Sequence, residues 1–175
     1  MDVALEMAQP TRWLVDHVQV LPAAGAALDV ASGNGRNALW LARRGLKTLA
    51  VDRDRHAVAS LLESAARLAL PLHAEVADLE AETVSLGTAA YDVIVVVHYL
   101  HRPLFPAIKA AVRPGGVLVY ETFTQAQAAR GKPTNPAFLL RPGELRQLVA
   151  PFRILFEREG DFEGKMLASV IAMRE

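Results

Sequence analysis

Two glycines, Gly33 and Gly35, sit in the stretch ALDVASGNGRNALWLA (27–42), shortly after an acid, Asp29. An apolar run precedes them and a helical spacing (Ala38, Leu41, Ala42) follows, so the stretch reads strand, turn, helix. Glycines in such a turn accept backbone paths that a Cβ resists, and they let a ligand approach the main chain. The helix beyond offers unpaired N–H groups, which favour a negative group. Asp52 stands at the end of the next apolar run, 17 residues after Gly35, where a carboxylate can accept hydrogen bonds from a ribose diol. Asp78 closes a third run, within reach of an adenine amino group. Both acids also have a plain reading, because aspartate often caps helices or closes turns. A second group, His98, Tyr99, His101 and Arg102, follows a fourth run, and Glu121 closes a fifth. Histidine there suits a general base near neutral pH, and a structural or positioning role is the alternative. His98 and His101 lie three apart, but no third ligand has recognisable spacing, so no metal site is expected.

A dinucleotide and a ligand with an amino-acid tail both fit the glycine turn. Gly33-x-Gly35-x-x-Ala38 even matches the dinucleotide fingerprint, a weak signal alone. Asp29 favours the second ligand, since it repels a pyrophosphate and attracts an ammonium group. Asp78 points the same way, and the 175 residues leave no second domain for a dehydrogenase substrate. No Gly-Lys-Ser/Thr follows, which excludes a P-loop.

Alternating strand-like and helix-like runs must position these residues. The pattern predicts an N-terminal helix within residues 1–22, centred on Thr11–Val20. It predicts strands over Ala26–Val30, Lys47–Val51, Leu72–Val76, Tyr91–Val97 and Val117–Thr122. Helices are expected over Asn37–Arg44, after the capping Asp54, from Pro103 or Pro106 to the Pro114-Gly115-Gly116 turn, and over Pro142–Val149. Arg153–Glu159 and Lys165–Met173 are joined by GDFEG, too tight a link for a parallel crossover, so they form an antiparallel hairpin. The expected fold is α/β: a Rossmann-like open sheet of about seven strands, mostly parallel, with helices on both faces. Ligands in such sheets sit beyond the carboxyl ends of the strands, where strand order reverses. The aperiodic segment 123–141 is expected to be a substrate-side loop. One domain spans 1–175.

The composition excludes several classes. There are no cysteines, hence no disulfide, thiolate metal site or cysteine nucleophile. The first twenty residues lack a basic region followed by an apolar core, and no apolar run is long enough to span a bilayer, so a cytoplasmic protein without membrane association is expected. Nineteen basic residues balance nineteen acidic ones, which argues against a nucleic-acid surface. From His98 to Arg141, however, six basic residues face one acid, Glu121. This local excess is either a solvated rim or a mouth that attracts an anionic substrate, with Arg141 or Arg102 as the anion ligand.

On these motifs the chain resembles the class I S-adenosylmethionine-dependent methyltransferases, and LDVASGNGRNALWLA is similar to the first motif of the small-molecule, tellurite-resistance group. LAVDRD, EVADLE, YDVIVVVHYLHRPLFPAI and RPGGVLVYETF stand in the positions of the second to fifth motifs. The resemblance implies S-adenosylmethionine as cofactor and S-adenosylhomocysteine as product. It implies that Asp29 faces the methionine ammonium, that Gly33 and Gly35 pass under the methionine part, and that Arg36 approaches its carboxylate. Asp52 would hold the ribose, Arg53 flank the adenine, and Asp78 with the Leu79 N–H bind the adenine edge. The family usually has glycine where this chain has Ala31, whose methyl group crowds the turn. His98 and His101 are the candidate bases, and Tyr99, Arg102, Glu121 and Arg141 the candidate substrate contacts. The acceptor is expected to be a small molecule. The alternatives are a catalytically idle cofactor-binding scaffold and an RNA-modifying enzyme.

Overall fold

The computed structural model describes residues 9–175. Seven strands form one sheet in the order β3-β2-β1-β4-β5-β7-β6. They are β1 (Gly25–Val30), β2 (Leu46–Asp52), β3 (Leu72–Val76), β4 (Tyr91–Val97), β5 (Val112–Phe123), β6 (Arg153–Phe162) and β7 (Lys165–Met173). The first five are parallel to one another, while β7 runs antiparallel to both β5 and β6. The chain steps outward from β1 to β2 and β3, then returns to place β4 on the other side of β1. That reversal opens a crevice at the carboxyl ends of β1 and β4.

Period-two alternation assigns the central side chains to two layers. Leu28, Val30, Ile94, Val96, Leu118 and Tyr120 belong to a core with α4 (Phe105–Ala111) and α5 (Glu144–Val149). Ala27, Val93, Val95, Val117 and Val119 belong to another, with α1 (Arg12–Asp16) and Leu41 of α2 (Arg36–Arg43). Continuous apolar runs such as Val93–Val97 are what a strand covered on both faces requires. A third cluster packs α2 and α3 (Arg55–Arg67) beside β2 and β3. Asp54 caps α3 by accepting from the His56 and Ala57 N–H groups.

The elements depart from expectation in four places. The described part of the N-terminal helix is only α1 and a 3-10 turn over Val18–Val20; residues 1–8 lie outside the described residues. The Pro114-Gly115-Gly116 turn belongs to β5, as an irregularity in its register with β4. It is held because the Gly115 N–H donates to the Arg174 carbonyl and the Arg174 N–H to that of Gly116. The hairpin link shrinks from GDFEG to Glu163-Gly164, both with positive φ (55° and 78°), since Phe162 still pairs with Lys165. The segment 123–141 contains short 3-10 turns at Gln125–Ala129 and Pro136–Phe138, and Thr124 bridges Leu140. Gln127, buried inside it, accepts from the Met166 N–H and donates to the Lys132 carbonyl. No helix among the described residues is long and apolar enough to cross a membrane.

Candidate functional site

Two clefts open at the carboxyl ends of the strands, and alternate residues of β5 feed them: Glu121 lines one and Thr122 the other. The first cleft lies against Asp52, Arg53, Asp78, Leu79 and Glu80 on one side, and against Leu100, Thr122, Phe123 and Phe138 on the other. Asp52 anchors the glycine turn to β2. One of its oxygens accepts from the Gly33 N–H at 2.7 Å, the other from the Asp54 N–H at 2.9 Å. Asp78 accepts from the Glu80 N–H at 3.0 Å. A carboxylate oxygen with one such partner keeps a lone pair for a ligand donor.

The walls of this cleft carry further hydrogen-bonding groups. The Tyr99 hydroxyl is buried without a partner, and burial together with the Glu80 and Asp78 carboxylates pushes its pKa up to about 12, so it stays a donor. Buried orphan donors are uncommon, and a ligand is one way to satisfy them. The Tyr120 hydroxyl donates to the Tyr99 carbonyl at 2.8 Å, which fixes that backbone. Gly33, at φ 53°, has no protein atom within 4 Å of where a Cβ would stand, leaving room above it. Gly35 differs: a Cβ there would meet Leu61 at 2.4 Å, so its bareness serves the packing of α2 on α3.

His98 lines both clefts. Its N–H donates to the Glu121 carbonyl at 2.8 Å, and its ring stacks on Phe123 at 4.7 Å between centroids. The imidazole is lowered to about 4, first because surrounding protein disfavours its charge and then because Lys165 and Arg36 stand near. At neutral pH it is uncharged and can accept a proton. The second cleft includes Thr11, Arg12, Arg36, Glu121 and Lys165. Glu121 is already partnered: Thr11 and Ser169 hydroxyls and the Arg158 guanidinium all donate to it.

Several expected contacts move elsewhere. Asp29 is only 1% exposed and lines neither cleft; it accepts from the Ala38 N–H at 3.0 Å. Burial raises its carboxyl to about 7, against the pull of that N–H and of Arg36. In the structure it ties β1 to the start of α2. His101 lines neither cleft. Arg102 is spent inside the fold, donating to both oxygens of Glu144 (2.7 and 2.9 Å) and to the Ala137 and Leu139 carbonyls. Arg141 also reaches Glu144, and it too is absent from both linings. Four of the six basic residues in that excess meet an acid in three dimensions. Arg113 pairs with Asp92, Arg130 with Asp161, and Lys109 donates to the Ala150 carbonyl. Counting charge along the chain missed acids supplied from outside the counted segment. Conversely, Phe123, Pro133 and Phe138 line the first cleft without having been singled out. For Phe138 the one signal was the apolar PAFLL inside an otherwise aperiodic loop.

An open sheet with this strand order, with a crevice at its reversal, has the fold of a class I methyltransferase. Residues 27–116 match the family described as "Methyltransferase domain". The chain belongs to that family, whose members of this class use S-adenosylmethionine. The fold is similar to that of TehB from Haemophilus influenzae, with a TM-score of 0.77 and 21% identity over 93% of this chain and 61% of that one. It is also similar to an S-adenosylmethionine-dependent methyltransferase from Mesorhizobium loti, with a TM-score of 0.68 and 19% identity over 90% and 95% of the two chains. A curated relative, hemagglutinin 1 of Eikenella corrodens, is 36% identical over 134 residues, 73% of this chain but only 44% of that protein.

Proposed function

We propose that the protein transfers a methyl group from S-adenosylmethionine to a small-molecule acceptor by in-line displacement. The observation that carries this reading is the meeting of two clefts at His98, directly beyond β4. Asp52 would hold the ribose hydroxyls, Asp78 and the Leu79 N–H the adenine edge, Arg53 its flank, and Arg36 the methionine carboxylate. The cofactor supplies an electrophilic methyl on a sulfonium. The chain's own task is then to align a nucleophile about 3–3.5 Å from it and to keep water out. Uncharged His98 is placed to accept the acceptor's proton where there is one, and a thiolate would need no base.

Support for an anionic acceptor is weaker than the sequence implied, because Arg102 and Arg141 are turned to Glu144. The partly neutralised basic segment also disfavours RNA. A cofactor-binding scaffold is the second reading, favoured by one observation: Ala31, in the first cleft, is held at φ 53°, where alanine is strained. A cytoplasmic location belongs to the same proposal and is checked by cell fractionation. The test is calorimetry with S-adenosylhomocysteine, followed by a methyl-transfer screen of thiols, selenite, small acids and transfer RNA. Binding with transfer to a small molecule is expected. Binding without any transfer would favour the scaffold, and no binding would end both readings.

A further inference from the structure

The first cleft has two unlike halves. Its inner half carries Asp52, Arg53, Asp78 and Glu80, the polar groups a nucleoside needs. Its outer half, built by Leu100, Phe123, Pro133 and Phe138, contains no charged side chain. We propose that this outer half is a preformed subsite for a planar apolar part of the methyl acceptor, with Phe138 as its specificity wall and Arg102 as the residue that positions that wall. The inference rests on the methyltransferase reading above and adds the acceptor's chemical class.

Phe138 is the first support. It is 47% exposed, and among the large exposed hydrophobics of the described residues it alone lines this cleft. Its neighbours Leu139 and Leu140 are buried. The loop therefore has apolar side chains to bury, buries two of them, and leaves the phenyl ring half-exposed on the lining of the cleft. An aromatic side chain left beside a ligand cleft offers a large apolar face at little conformational cost.

The backbone around it is the second support. The Arg102 guanidinium donates to the carbonyls of Ala137 and Leu139, both at 3.0 Å, so it grips the chain immediately before and after Phe138. The same guanidinium is held by Glu144 through two bonds, and the Glu144 carboxylate also accepts from the Arg141 N–H. Asn135 closes the turn by accepting from the Ala137 N–H at 3.0 Å. A segment that only needed to cover the site would have little use for this clamp. A planar, multiply bonded guanidinium gives a fixed geometry that a lysine cannot reproduce. The subsite ends at His98, whose ring lies on Phe123. An acceptor seated against Phe123 and Phe138 therefore presents its nucleophile beside the one residue shared by both clefts. An oxyanion such as selenite would meet no cation in that half.

The protein saturated with S-adenosylhomocysteine is titrated with benzenethiol, 2-mercaptoethanol and selenite by calorimetry, with the wild type's affinity for the homocysteine compound measured first. Benzenethiol is expected to bind at least ten-fold more tightly than the other two. Phe138→Ala should weaken it about ten-fold while changing the homocysteine compound's affinity less than two-fold. Arg102→Lys should weaken benzenethiol similarly. Because Arg102 acts through Phe138, the double variant should bind no worse than Phe138→Ala alone, a non-additivity that general loosening of the fold would not give. Equal affinity for the three probes, an indifferent Phe138→Ala, or additive losses would each overturn the inference. A wild type that does not bind S-adenosylhomocysteine would instead overturn the methyltransferase reading.

Discussion

The glycine turn at 31–35 and the loop at 123–141 frame the same cleft, yet they are held by different means. The turn is fixed locally. Gly33 and Gly35 adopt positive φ (53° and 72°), and one neighbouring carboxylate, Asp52, accepts the Gly33 N–H. The loop is fixed at a distance. Arg102, which follows β4, reaches 35 and 37 residues along the chain to the carbonyls of Ala137 and Leu139, and 42 to Glu144. The proposed cofactor side thus rests on backbone conformation and one carboxylate, and the proposed acceptor side on side-chain bonds of longer range. Such a division lets acceptor preference change without disturbing the cofactor cradle.

The contrast can be broken most severely at Asp52. Asp52→Ala removes the acceptor of two backbone N–H groups and the proposed ribose ligand, so S-adenosylhomocysteine affinity should fall about 100-fold by calorimetry, the scale of losing charged hydrogen bonds. If affinity survives, the turn is not held as described. Next comes Glu144, which is 4% exposed. Glu144→Gln should cost about 2–3 kcal/mol in urea unfolding at pH 7, because it strips a charged partner from Arg102, while leaving cofactor affinity nearly unchanged. The hydrogen bond from Arg102 leads the effects that hold the Glu144 carboxyl at about 2, below its ordinary 4.5. A depressed carboxylate stabilises fully above its unfolded value and loses that contribution as pH falls through its folded one. Wild type and variant should therefore converge in stability between about pH 4.5 and 2.

His98 tests where the two regions meet. With its imidazole lowered to about 4, methyl transfer to an oxygen or nitrogen acceptor should show its acidic limb near pH 4 rather than 6.5, and His98→Asn should lower kcat about 100-fold, the modest end of general-base effects. A limb near 6.5 would show a solvated, unperturbed ring. The smallest effect belongs to Ala31. Ala31→Gly relieves about 1–2 kcal/mol of left-handed strain but adds glycine's entropy of roughly 0.5–1 kcal/mol. A net gain of up to about 1 kcal/mol in thermal unfolding is expected, and a loss would mean that the alanine methyl is needed where it stands.

What the sequence disclosed follows the same division. Leu72–Val76, Tyr91–Val97 and Lys165–Met173 were read to the residue, because apolar period and turn chemistry are written locally. The strand-end acids Asp52 and Asp78 were legible for the same reason, and the first cleft holds both. The burial of Asp29 was not legible, because an acid at a strand end can serve a neighbouring helix as well as a ligand, and its bond to the Ala38 N–H appears only in three dimensions. Arg102 and Arg141 misled because their acid, Glu144, serves two arginines at once. Phe138 was invisible because an aromatic in an aperiodic loop has no period to betray its direction.

The fifth strand carries a hidden arithmetic. Glu121 stands opposite Ser169 in β7, and Thr122 opposite Ala168. Because strand side chains alternate, deleting a single residue from this segment would trade the two: a carboxylate would enter the apolar crevice, and the hydroxyls of Thr11 and Ser169 would lose their shared acceptor. Descendants of this sequence can lengthen or shorten that stretch only by even steps, whereas the Glu163-Gly164 tip is free to vary one residue at a time.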